Sequence, residues 1–288
     1  GIAAGVFRAS WGEHHARGVY AYKRRQRWPL RSLERRFLVA VSPPVFLIDP
    51  DRAAEARVGG EVVLDGPEGR HAVAVQRVRA GETIECVDGS GRRITGSVAT
   101  VQQSGAATIT VAALTDEPEP TPQITAVQAI AKGDRGERAV QMLTEAGIDA
   151  IVPWQAEKSV ARWDETKATK NRGKWAATAR EATKQARRSR VPRVDPVTTS
   201  GGVAELISAS GVALVLDEQA SLQLTSIAAE TARDIMLVIG PEGGLSDNER
   251  GQFTDVGAYL VQLGPSVLRT STAGIAALSV LSAQIGRW

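Results

Sequence analysis

The chain has little of what extracellular, membrane-spanning and metal-dependent proteins are built from. Cys86 is its single cysteine, which excludes an internal disulfide framework and a cysteine-rich zinc site and fits a reducing compartment. Histidine is nearly as scarce, and His14, His15 and His71 have no metal-ligand spacing. A histidine-based hydrolytic metal centre is therefore not expected. No apolar run approaches the roughly 20 residues needed to cross a bilayer. These absences predict a cytoplasmic protein that uses neither a metal nor a membrane.

Hydrophobic side chains make up 43% and charged ones 23% of the 288 residues, the balance of one large globular domain or two ordinary ones. The net charge of +3 conceals a division. Residues 1–40 carry nine Lys or Arg against two acids, while the rest carry 26 against 30. The body is mildly acidic, so any nucleic-acid footprint must be local. The first forty residues contain Lys23-Arg24-Arg25-Gln26-Arg27 and Arg35-Arg36 without clear periodicity. They read as a basic extension, either disordered or non-native, or else as an arm for RNA or a targeting peptide. The apolar core of a signal peptide is missing.

Residues 41–116 read as a small β-barrel module. Val62-Val63-Leu64, Thr83–Val87, Ile94–Val98 and Ala107–Val111 are β-prone, and Asp65-Gly66, Asp88-Gly89 and Ser90-Gly91 punctuate them as turns. One helix-like segment, about Gly69 to Val78, interrupts them. The acidic, proline-rich stretch 117–122 cannot continue a sheet or helix and is a linker. Residues 123–288 change texture. Strand patterns at Ile124–Ile130, Ala150–Pro153, Ala213–Leu216, Ile235–Ile239 and Ala258–Leu263 alternate with helical ones at Arg135–Ala146, Asn171–Arg188, Val203–Ser208, Asp247–Asp255 and Thr272–Ile285. Such alternation predicts a parallel α/β sheet with ligands at the carboxyl ends of its strands.

Two segments carry chemistry. Gly240-Pro241-Glu242-Gly243-Gly244-Leu245 follows one strand pattern, and Leu263-Gly264-Pro265-Ser266-Val267-Leu268-Arg269-Thr270-Ser271-Thr272-Ala273 follows the next. A glycine-rich turn after a strand lets backbone N–H groups reach a ligand that side chains would block. Neither has the ending of a P-loop or the spacing of a dinucleotide fold, and each alone reads equally well as a tight connection capping a helix. Arg269 is harder to dismiss, because a cation beside a helix N-terminus opposes the dipole and asks for an anionic partner. Residues 158–193 hold twelve Lys or Arg against three acids, either a solvated helix face or a phosphate-binding surface.

Taken together, Gly-Pro-Glu-Gly-Gly and Leu-Gly-x-x-x-Leu-Arg-Thr-x-Thr-Ala resemble the RsmE family of RNA methyltransferases in the SPOUT superfamily. Glu181-Ala182-x-x-Gln185-x-x-Arg188 with Val191-Pro192, Ser159-Val160 and Leu214–Glu218 resemble further elements of that family in the same order. In the β module, His71, Arg77–Glu82 and Asp88–Gly91 resemble its PUA-like RNA-binding domain. The resemblance spans about residues 44–288.

It implies an α/β SPOUT domain with a C-terminal trefoil knot, preceded by a PUA-like domain. It also implies a homodimer that uses S-adenosylmethionine to methylate N3 of uridine 1498 in 16S ribosomal RNA. Carried over residue by residue, the cofactor loops are Leu216-Asp217-Glu218, Gly240 to Leu245 and Leu263 to Ala273. In the last loop Leu263, Gly264, Leu268, Arg269, Thr270, Ser271, Thr272 and Ala273 are the matched positions. Arg188 or Arg269 would stabilise the developing uridinate oxygens, with no general base evident. Arg77, Arg79, Lys184, Arg187, Arg188 and Arg190 would contact RNA. Many members have Glu where this chain has Ser271, so a carboxylate base is unavailable there. A SPOUT methyltransferase acting on another nucleotide, or a non-catalytic ribosome-assembly protein that keeps the fold, would carry the same loops.

Overall fold

Two sheets share one unit, and the computed structural model describes residues 42–229 and 231–288 of it. The basic extension 1–40 lies outside the described residues. The first sheet begins with β1 (Val45–Leu47) and α1 (Pro50–Glu55), followed by β2 (Glu61–Leu64) and α2 (Gly66–Arg70). A π-helical turn at His71–Val75 leads to β3 (Thr83–Val87), β4 (Arg92–Val101) and β5 (Ala107–Asp116). Strand order is β1-β3-β4-β5-β2, with only β1 and β3 parallel. The ladder shifts register after Thr95 and after Val98, and such bulges bend a strand. The sheet curls into a half-barrel, an open form of the expected small β-barrel. Its edge strands have three and four residues against ten each in β4 and β5, too short to close the gap. The inward face packs Phe46, Leu64, Ile84, Ile94 and Ile109 with Cys86.

Helix α1 was not legible from apolar periodicity, yet its start signal is present. Asp49 accepts from the amide of Asp51 at 2.9 Å, and Pro50 occupies the first turn, where its missing N–H costs nothing.

The second sheet is wholly parallel. It comprises β6 (Gln123–Ala129), α3 (Arg135–Glu145), β7 (Ala150–Gln155), α4 (Glu165–Gln185) and the two-residue strands β8 (Arg193–Val194) and β9 (Thr198–Thr199). After α5 (Ser200–Ala209) come β10 (Val212–Leu216), β11 (Asp234–Ile239), α6 (Asp247–Asp255), β12 (Tyr259–Val261) and α7 (Thr270–Gln284). The order is β12-β10-β11-β6-β7-β8, with β9 also on β7. Alternation along β11 shows how both faces are covered. Ile235, Leu237 and Ile239 join the core under α3, α4 and α7, while Met236 and Val238 join the core under α5 and α6.

The helix predicted from Asn171 starts six residues earlier, because Asp164 caps it by accepting from the Lys167 amide at 2.9 Å. Although α4 is mostly polar, it buries Trp175, Ala179, Ala182 and Thr183. Trp175 meets Trp163 edge-on at a centroid distance of 5.1 Å. Among the described residues no helix is long and apolar enough to cross a membrane.

Candidate active site

Strands β12, β10 and β11 are neighbours, so the loops at their carboxyl ends meet over one edge of the sheet. Between them lies a cleft of about 590 Å³, placed where parallel α/β sheets bind ligands. Its walls include Leu216, Asp217 and Glu218 after β10, Gly240 to Leu245 after β11, and Leu263 to Thr270 with Ala273 after β12. The structure therefore brings together nearly every residue expected there from three separated stretches of sequence.

The glycines divide by what a side chain would meet. Gly244 has φ +67°, and a Cβ there would stand 3.3 Å from the Glu218 carboxylate across the cleft. It must be glycine both for its backbone and for the space. A Cβ on Gly243 would instead meet Cβ of Lys158 at 3.1 Å, pressing on the neighbouring segment rather than filling the cleft. The turn is closed by the Gly244 amide, which donates to the Pro241 carbonyl at 3.0 Å. Within Ser266–Leu268, by contrast, the backbone amides donate to no group among the described residues. Bare backbone donors beside a mixed polar and apolar wall suit a flat heteroaromatic ligand with ring and hydroxyl acceptors.

Three carboxylates line the cleft and are used differently. Glu242 accepts from Arg135 at 2.7 Å and from the Lys132 amide at 3.3 Å. Burial alone would raise its pKa, but these hydrogen bonds outweigh burial and hold it below the usual carboxylate range. Asp217 is buried and bonded to Arg250 of α6, and its amide donates to the Val261 carbonyl at 3.0 Å, so it braces the cleft wall rather than offering a free polar group. Glu218 is exposed and has no side-chain partner among the described residues. Arg269, exposed at the N-cap of α7, likewise has no carboxylate partner among them. Thr270 is buried beneath it, accepting from Gln128 at 2.9 Å and donating to the Gly240 carbonyl at 2.8 Å. That chain fastens the third loop to the second. Arg135 was missed by sequence reasoning; its signal is a cation in the first turn of a helix, unfavourable to the dipole unless paired.

Ser271 and Thr272 do not reach the cleft. Ser271 is buried in the first turn of α7, and neither side chain lines the wall. The serine found where many family members have glutamate takes no polar group from this cavity.

Arg188 departs furthest from expectation. Its guanidinium donates to the carbonyls of Thr144 and Ile148, both at 2.8 Å, and lies 4.0 Å from Asp149. Burial lowers its pKa, partly offset by Asp149. It closes the C-terminal end of α3, where unpaired carbonyls attract a cation, and is not beside the cleft.

Lys184, Arg187 and Arg190, expected to touch RNA, also serve the junction between the two sheets. Lys184 pairs with Glu68 and with Glu181, each at 2.9 Å, with a side chain only 9% exposed. Arg187 sits at φ +57° after α4, paired with Glu85 at 3.4 Å while its carbonyl accepts from Arg93 at 2.9 Å. Arg190 donates to the Glu117 carbonyl at 2.6 Å. Only Arg77 and Arg79 of the expected set are exposed without an ion pair among the described residues.

Known proteins now place this arrangement. A family model described as an RNA methyltransferase domain matches residues 117–282, and one described as an RNA methyltransferase PUA domain matches residues 64–111. Ribosomal RNA small subunit methyltransferase E of Mycobacterium bovis is 41% identical over 236 residues, covering 80% of this chain and 89% of the relative. A Legionella pneumophila methyltransferase solved with bound SAM has a TM-score of 0.75 at 28% identity, covering 84% of this chain and 98% of that one. Ribosomal RNA small subunit methyltransferase E of Neisseria gonorrhoeae, solved with S-adenosyl methionine, has a TM-score of 0.73 at 28% identity, again covering 84% and 98%. The two family matches fall in sequence order on the two sheets, and the identity runs through both, so the chain belongs to the ribosomal RNA small subunit methyltransferase E family, a group of RNA methyltransferases.

Proposed function

We propose that the chain uses S-adenosylmethionine to methylate N3 of uridine 1498 in 16S ribosomal RNA. The observation that carries this reading is the convergence of three strand-end loops on one cleft whose wall is glycine backbone at Gly240, Gly243 and Gly244. The residues present fit that cofactor. Gly244 leaves room that any Cβ would take, and the amides of Ser266 to Leu268 offer donors suited to adenine and ribose. When bound, S-adenosylmethionine supplies a methyl group already activated for transfer, so no protein nucleophile is required. Cys86 could not serve as one: it is buried in the first sheet, and burial pushes its thiol up to about 12.

The protein's own tasks are to hold cofactor and base in line and to handle the charge on the base. Arg269 faces the developing negative charge on the uracil oxygens, where a cation stabilises the transition state. Glu218 is the carboxylate of the cleft free to accept the N3 proton. Leu216, Asp217 and Leu263 to Thr270 complete the cofactor wall, and Arg77 and Arg79 extend the RNA contact onto the first sheet.

The trefoil knot belongs to the same reading. Its support is that β12 lies at the sheet edge, yet the chain beyond it returns to pack α7 on β11, β6 and α3. A homodimer is supported by α7, which carries no charged residue and keeps Ile275 and Val280 half-exposed. A cytoplasmic location goes with the same reading, because its substrate is ribosomal RNA.

The test is methylation of small ribosomal subunits from a strain lacking this activity, with modified uridines mapped afterwards. N3-methylation of one uridine is the expected result, and modification of a different nucleotide would replace the target while keeping the chemistry. Failure to bind S-adenosylmethionine at millimolar concentration would favour a non-catalytic assembly role instead.

A further inference from the structure

We infer that the RNA backbone is held along a track of cations that begins at the rim of the cleft, with Lys132, Lys158 and Arg162, and continues up the outer face of α4 through Lys170 and Lys174. This inference rests on the RNA-methyltransferase reading and adds to it the surface that binds the phosphates.

The rim is fixed by contacts. The Lys132 amide donates to Glu242 at 3.3 Å, while Lys158 donates from Nζ to the Leu245 carbonyl at 2.8 Å. Both therefore abut the turn that walls the cleft. From Lys158 the segment runs through Arg162 into α4. It is braced against α6 by two bonds: the Glu157 amide donates to buried Glu249 at 2.8 Å, and Asn248 donates to Glu157 at 2.7 Å. The start of the helix is thereby held in a set position beside the cofactor wall.

Availability of charge separates this track from the rest of the basic run. Lys132, Lys170 and Lys174 are exposed and have no ion pair or side-chain hydrogen bond among the described residues. Arg162 uses one guanidinium nitrogen, donating to the Glu157 carbonyl at 3.2 Å, and Lys158 one of its three donors. Of the three acids in the run, Asp164 pairs with Lys167 at 2.7 Å and Glu181 with Lys184 at 2.9 Å, which leaves Glu165 as the one exposed carboxylate beside the track without an ion pair among the described residues. Lys170 and Lys174 are one helical turn apart, off the face that buries Trp175, Ala179 and Ala182. Like charges at that spacing repel, a repulsion that a bound phosphate chain reverses. Phosphate contacts of this kind position an RNA without reading its sequence.

The test is fluorescence anisotropy with a labelled single-stranded oligouridylate, titrated between about 50 and about 200 mM salt. Each lost phosphate contact lowers the slope of log K against log salt by about 0.7 for a single strand. The triple variant Arg162→Gln, Lys170→Gln, Lys174→Gln should lose about 2 from that slope and bind S-adenosylmethionine as the parent does, which also reports that the variant is folded. An unchanged slope in a variant that still binds cofactor overturns the track while leaving the methyltransferase reading intact. Absence of salt-dependent RNA binding by the parent protein overturns both.

Discussion

The two halves of one basic run, residues 158–193, look alike as sequence and behave as opposites in the fold. In the first half Lys158, Arg162, Lys170 and Lys174 keep most or all of their donors toward solvent. In the second half Lys184, Arg187, Arg188 and Arg190 spend theirs inward. They join α4 to α3 and to the first sheet through Glu68, Glu85, Glu117 and the carbonyls of Thr144 and Ile148. The difference is not composition but what each side chain finds within reach. A cation that meets a carboxylate or a helix's unpaired carbonyls becomes architecture. One that meets only water remains available for a polyanion.

The contrast between cleft and junction can be broken most severely at Gly244. Gly244→Val forces a β-branched residue into φ +67° and drives its side chain toward Glu218. S-adenosylmethionine affinity should fall more than about a hundredfold, consistent with several kcal/mol of strain and steric loss. Calorimetry on a folded sample that still binds normally would show that the turn only connects two elements.

Next come the two arginines that the family resemblance pairs for catalysis. Arg269→Ala should lower kcat about a hundredfold, the usual scale for removing one preorganised charge, with little change in Tm. Arg188→Ala should do the reverse, costing roughly 2 kcal/mol of stability by leaving two buried carbonyls unpaired. Urea melts and single-turnover methylation of the same preparations separate them, and a catalytic defect without a stability loss in Arg188→Ala would refute its assignment to α3.

A smaller effect divides the lysines. Lys184→Ala leaves Glu68, whose side chain is 17% exposed, with the Leu47 amide at 3.2 Å as its remaining donor, and should cost about 1.5 kcal/mol. Lys174→Ala should stay within about 0.5 kcal/mol, as exposed changes do. Equal losses at both positions would erase the distinction between the two halves of the run.

Much of the fold was legible because the strands of the second sheet are short apolar runs bounded by glycine, proline or acidic residues, as at Ile235 to Gly240. The helices followed from what lay between. Two-residue strands such as β8 carry no periodicity, and α1 is too short and polar to show one. The cleft loops could be located because their glycines are a local signal. The partners of charged residues could not. Arg188 answers to Thr144, 44 positions away, and Arg135 to Glu242, 107 positions away. No local pattern encodes such pairings, which exist only once the sheet has brought the segments together. For the same reason the motif includes Ser271, although the first turn of α7 buries its side chain away from the cleft.

The subtlest test concerns the Arg135–Glu242 pair at the cleft's edge, whose side chains are 40% and 25% exposed. Water screens a pair that open, so its worth is on the order of 0.5 kcal/mol. Glu242→Gln should therefore weaken S-adenosylmethionine binding only about two- to threefold. The carboxyl's pKa is lower in the folded protein than in the unfolded chain. Its contribution is thus fully present above the ordinary carboxylate range and is lost as pH falls through the depressed value. Cofactor affinity of the parent should hold level from neutrality down to that range and decline only below it, and the glutamine variant should lack this acid limb. If Glu242→Gln instead costs tenfold or more at neutral pH, the carboxylate contacts the cofactor itself and does more than brace the turn against α3.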